Sequence, residues 1–207
     1  MPSVTTRRSG VAERRAAIEA RILAAVERLL DGGERFTDLG VQRIVEEAGV
    51  ARSTFYMHFR DKSALILRLA ENLGTTVFGM TTRWDPEADD AVDALVAVTV
   101  ETIRFYRERA HLLGAVLEVA AYDEAVRDFW SAQLEEFVAR GRQFVEAAQQ
   151  AGHTPGSVRT DTTVRLFVWG GMQTIAHHIA TGDSTDDAAV AREIALAQWF
   201  GAFRRPT

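Results

Sequence analysis

The 207 residues are 47% hydrophobic and 26% charged, an ordinary globular balance that suits one large domain or a small module fused to a larger one. With no Cys, disulfide frameworks, thiolate zinc sites and cysteine nucleophiles are excluded. The formal net charge of -5 hides an asymmetry: residues 1–62 hold eleven Lys and Arg against nine Asp and Glu, and the rest hold thirteen against twenty.

Along the chain nearly every segment has helical period, and no alternating β-branched run suggests a sheet. The opening MPSVTTRRSG has no apolar h-region and reads as a frayed basic arm over 1–10. A first helix is predicted over 11–30, with Ile18, Ile22, Val26, Leu29 and Leu30 on one face. Asp31-Gly32-Gly33 ends it. A short helix over 41–47 carries Val41, Ile44, Val45 and Ala48 on a stripe, and another over 52–58 is held inward by Phe55 and Phe59. Longer helices follow at 62–83, 87–109, 111–121, 123–151, 161–181 and 186–203. The expected fold is therefore all-α: a three-helix head over 1–62 and a six-helix body over 63–207. No apolar run is long enough to span a bilayer, and the expected location is cytoplasmic.

The stretch VQRIVEEAGVARSTFYMHFRDK has the layout of a helix-turn-helix. The first of its two helices ends at Ala48, Gly49 supplies a left-handed turn, and Val50 fills the angle between the helices. The second opens with Arg52, Ser53 and Thr54, two of them small enough to approach a groove closely.

Ile44-Val45-Glu46-Glu47-Ala48-Gly49-Val50, then Thr54-Phe55-Tyr56-Met57-His58-Phe59, then Lys62 resemble the signature of the TetR family of transcriptional regulators. The close resemblance covers residues 11–70, and a body rich in Trp and Phe is similar to an EthR-like sub-type. The resemblance implies DNA-backbone contacts from Arg43, Lys62, Tyr56 and His58, and base-edge contacts from Arg52, Ser53, Thr54 and Met57. Alternatives remain at these positions. Tyr56 could pack on the first helix, His58 could staple the head, Arg43 could pair with Glu46 or Glu47, and Thr54 could bond within its own helix. Two positions depart from the family pattern, with Gly40 and Ala51 where a hydroxyl cap is usual. The loss at Ala51 predicts weaker DNA affinity.

In the body, Trp130, Leu134, Phe137, Gly141 and Phe144 recur on one face of a long helix, with Gly141 leaving room beside large rings. Singly, such aromatics are core residues. The resemblance implies a tunnel between the fourth, fifth, seventh and eighth helices, walled by Phe105, Trp130, Leu134, Phe137, Trp169, Met172 and Trp199. Thr102, Gln173 and His177 would be its polar contacts, and the expected guest is elongated and mostly apolar. His177-His178 does not read as a metal site, because adjacent helical residues point about 100° apart. No metal or cofactor is expected.

Gly170-Gly171, and a Val190, Ile194 and Ala197 stripe on the last helix, predict a homodimer surface, with burial inside one chain as the alternative. The expected function is a ligand-responsive regulator, most readily a repressor, that binds a pseudo-palindromic operator as a dimer. The competing readings are an enzyme, for which no Gly-x-Ser-x-Gly, phosphate loop or His-Glu-x-x-His is present, and a helical adaptor using its head for protein contact.

Overall fold

A computed structural model describes residues 4–205, and among them every regular element is helical. The elements are α1 (Val4–Asp31), α2 (Val41–Ala48), α3 (Arg52–His58), α4 (Lys62–Thr81), α5 (Ala91–Arg107), α6 (Ala110–Ala120), α7 (Glu124–Gln150), α8 (Thr160–Thr181) and α9 (Asp187–Gln198). A 3₁₀ turn (Ser184–Asp186) precedes α9, and a π turn (Trp199–Phe203) follows it. The basic segment expected to fray is helical from Val4 onward, so α1 begins a good seven residues early. Residues 1–3 lie outside the described part.

Each terminus has a local cause. Gly49 adopts φ 62°, and the Gly49 and Val50 amides close back on the carbonyls of Glu46 (3.1 Å) and Val45 (3.0 Å), the paired bonds of a Schellman stop. Asp61 starts α4 by accepting from the Ala64 amide at 2.8 Å, and Asp123 starts α7 by accepting from Val126 at 3.2 Å. The α5 helix begins later than its pattern predicts. Trp84 buries in the preceding turn and donates its indole N–H to the Ala91 carbonyl at 2.8 Å, which fixes where the helix begins. The last helix gives way to the π turn because Phe203 buries beside Trp84, with ring centroids 4.9 Å apart.

One apolar cluster joins Ile22 and Val26 of α1, Ile44 of α2 and Phe55 of α3 to Leu65, Ile66 and Leu69 of α4, and continues to Val116 and Val126. The head therefore packs on the first half of α4 without a solvent gap. A second cluster at the far end gathers Trp84, Leu95, Val138, Val145, Val164 and Phe203. Val190 and Ile194 pack against the first of these clusters. The stripe expected to face a partner thus turns inward, because α9 lies against α5; only Ala197 of the three is exposed.

Candidate functional site

The head is built around α1. Arg21 donates through Nη2 to the carbonyls of Ala48 (2.8 Å) and Gly49 (3.1 Å), so a helix one element away ties down the turn between α2 and α3. Arg28 reinforces this through Glu47 at 2.9 Å. Phe55 is fully buried and meets Tyr56 edge-on at 5.4 Å and Phe59 at 5.6 Å.

With Phe55 and Phe59 inside, α3 presents the opposite side. Arg52 and Ser53 are exposed, Tyr56 is 48% exposed and Met57 67%. The Arg52 guanidinium lies 5.8 Å from the Tyr56 ring centre. Thr54 is half-buried, as is His58, whose Nδ1 is buried without a partner. Neither Ala51 nor Gly40 supplies a side-chain cap to the helix it precedes.

Two cations expected at the backbone are engaged within the protein. Arg43 pairs with Glu34 at 3.0 Å and Glu47 at 3.6 Å. Lys62 points inward: its Nζ donates to the carbonyls of Phe36 (2.8 Å) and Thr37 (3.1 Å) and sits 5.0 Å from the Phe36 ring centre. Burial pushes its ammonium below the ordinary lysine value, against the pull of Asp38. In this state Lys62 staples the loop before α2 to the start of α4, where the sequence pattern suggested only a phosphate contact.

Between α4, α5, α7, α8 and α9 the body holds a partly open apolar cavity of about 190 Å³. Of the expected wall, Thr102, Leu134, Phe137 and Met172 line it. Trp130, Trp169 and Gln173 instead line a second groove between α6, α7 and α8, and Leu134 and Met172 form the wall shared by the two. Phe105 lies outside both, beneath the Arg109 guanidinium at 4.2 Å. Trp199 also lies outside, stacked against Arg204 at 4.8 Å. His177 is exposed on the outer side of α8, which removes it from the set of interior polar contacts. No cluster of metal-ligating side chains occurs among the described residues.

The sequence reading missed several cavity residues: Val77 and Thr81 of α4, Tyr106, Arg140, Phe167 and Gln198. Burial raises the Tyr106 phenol well above its ordinary range, so it stays a neutral hydroxyl. Arg140 was detectable, being three residues after Phe137 and four before Phe144 on the apolar side of α7. Gly141 was placed correctly on that face; a Cβ there would lie 2.7 Å from Val164 Cγ1, so its absence lets α8 approach.

A three-helix head whose third helix faces outward, joined by one continuous helix to a body with an apolar cavity, defines a helix-turn-helix protein with a ligand-type chamber. Residues 22–69 match the family model described as bacterial regulatory proteins, tetR family. The chain is similar to the HTH-type transcriptional regulator EthR of Mycolicibacterium smegmatis, 28% identical over 131 residues, covering 59% of this chain and 57% of that protein. The match thus spans little more than half of that relative. In fold it resembles the fatty acid degradation regulator FadR from Bacillus halodurans, with TM-score 0.70 and 17% identity over 87% of this chain and 93% of the other. It also resembles FadR from Bacillus subtilis in complex with stearoyl-CoA, with TM-score 0.70 and 17% identity over 86% and 96%. The family match is thus carried by the head, residues 22–69, and the likeness of the body is one of fold.

Proposed function

We propose that the protein is a homodimeric repressor that binds a pseudo-palindromic operator through α3 and is released by an apolar small molecule in the body. The observation that carries this reading is the course of α4. Its first turn holds the head through Lys62, and Val77 and Thr81 near its other end line the cavity. A single helix thus touches both the DNA-binding unit and the ligand chamber.

The size of the chamber supports the coupling. Pockets for drug-sized ligands run to roughly 300–1,000 Å³, whereas this one measures about 190 Å³. A guest that outgrows this space presses on its walls, and α4 is one of them. Tilting α4 moves the head, and in a dimer it changes the spacing of two recognition helices that must lie about one DNA turn apart. Differential affinity of the guest for the tilted state weakens DNA binding by an amount typically ~1–3 kcal/mol.

At the DNA, Arg52, Ser53, Thr54, Tyr56 and Met57 are the contacts we assign, with Arg43 reaching phosphate once it leaves its carboxylate partners. We keep residues 1–62 as the DNA-binding unit and 63–207 as the ligand-binding and dimerisation unit. The dimer surface is the outer side of α8 and the end of the chain. Leu166 is 66% exposed and Phe200 56% exposed, and Gly170 is exposed with nothing within 4 Å of where a Cβ would be. No helix among the described residues is long and apolar enough to cross a membrane, in keeping with a role at cytoplasmic DNA.

Electrophoretic mobility shift with the intergenic DNA beside the gene, across salt concentrations, tests the reading. A shift that weakens with salt and is lost in an Arg52→Ala, Tyr56→Ala double variant is expected. Absence of any selected sequence in unbiased binding-site selection by the folded dimer would overturn it and favour a protein-binding head.

A further inference from the structure

Arg140 is a charged side chain in the wall of a chamber otherwise made almost wholly of apolar groups. Its guanidinium carbon lies 4.9 Å from the centre of the Phe144 ring. Nη2 donates to the Thr82 carbonyl at 3.1 Å, just past the end of α4. Its Nε is buried and has no acceptor. Among the described residues Arg140 forms no ion pair, while cations around it are matched: Arg142 with Asp161, Arg165 with Glu135 and Asp161, and Arg83 with Glu101.

A half-buried guanidinium without a counter-charge, and with an N–H left unpaired, is costly unless something else supplies the acceptor. One backbone carbonyl satisfies a single donor of five. A carboxylate fits the remaining fork, because the two oxygens match parallel N–H groups of a guanidinium. The rest of the chamber sets the other half of the guest. From Arg140 it runs past Phe137 and Leu134 to Met172 and the neutral phenol of Tyr106, a wall suited to an apolar body.

We infer that the effector is an organic carboxylate: an apolar chain or ring system in the chamber, with its carboxylate on Arg140. This rests on the reading of the chamber as the effector site and adds the chemical class of its occupant. It also gives the anion a place in the switch. A carboxylate that draws Arg140 toward itself competes with the Thr82 carbonyl, and so acts on the end of the same helix whose other end holds the head.

The test is calorimetric titration of the full-length protein with decanoate, 1-decanol and decanoyl-coenzyme A. Decanoate is expected to bind roughly ten- to a hundredfold more tightly than decanol. Arg140→Gln is expected to erase that preference, so that acid and alcohol bind the variant equally. Arg140→Lys, which keeps the charge without the fork, is expected to keep part of it. Equal binding of acid and alcohol by the unaltered protein, binding of neither, or tighter binding of the thioester that is indifferent to Arg140→Gln, would each overturn the assignment. Mobility shift with decanoate separates this from the wider reading. Decanoate that binds through Arg140 yet leaves operator affinity unchanged supports the carboxylate site and overturns the proposed release mechanism.

Discussion

Ser63 Oγ donates a 2.6 Å hydrogen bond to the carboxylate of Asp123, joining the first turn of α4 to the residue that caps α7. The bond is one of three ties at this junction. Arg35 reaches Glu118 at the end of α6 at 2.6 Å, and Lys62 holds the carbonyls of Phe36 and Thr37. The start of α4 is thereby referenced to the body as well as to the head.

Removing that bond has a pH signature. The Ser63 hydroxyl first, then the Val126 amide, hold the Asp123 carboxyl below its ordinary 3.8. A depressed acid contributes stability above its unfolded pKa and loses it as pH falls through the folded value. Ser63→Ala should lower stability by about 1 kcal/mol at neutral pH, measured by urea unfolding. The gap between the two proteins should close in acid, below pH 3.8.

Ala51 precedes α3 in an extended conformation with no side-chain cap. Ala51→Ser restores an acceptor for the orphan amides and should stabilise the protein by about 1 kcal/mol. Operator affinity in a filter or mobility assay should rise with it. A stability gain without an affinity gain would show that the DNA does not read the order of this helix start.

Gly141 is a glycine in mid-helix, where Ala is ordinarily better by about 1 kcal/mol. Here the added methyl would meet Val164 Cγ1 at 2.7 Å, in a wall of the chamber. Overlap of this kind costs about 1–3 kcal/mol, so Gly141→Ala should be net destabilising in thermal unfolding. Adding Val164→Ala should reverse the sign by removing the obstacle.

Leu166 and Phe200 are large apolar side chains left in water by the single chain. Replacing both with Glu should shift sedimentation toward the monomer with little change in helical circular dichroism. Operator affinity should fall steeply, since in the proposed dimer each head alone reads only half a site.

The helices were legible because their periodicity is strong, and the head because Gly49, Phe55 and Phe59 leave few ways to pack so short a segment. The inner and outer sides of the last two helices were not. Val190, Ile194 and Ala197 form a good stripe on paper, but α5 lies beside α9 and takes the first two inside. Leu166 and Phe200 gave no pattern of their own. The chamber was half legible. Aromatic spacing placed Leu134 and Phe137 correctly, but nothing local could show that Leu134 and Met172 divide one space from another and leave Trp130 and Trp169 beyond it. Lys62 illustrates the same limit. Its position in the motif suggested an outward cation, while its acceptors, Phe36 and Thr37, lie about 25 residues away in sequence.

The tightness of the chamber separates occupancy from signalling. A molecule small enough to fill about 190 Å³ as it stands would bind without moving α4 and would leave the heads where they were. Under the proposed repression, such a molecule would act as a blocker, excluding a larger effector while the operator stays bound. Two compounds of similar affinity and different girth would then have opposite effects on transcription. Screening by binding alone would not tell them apart.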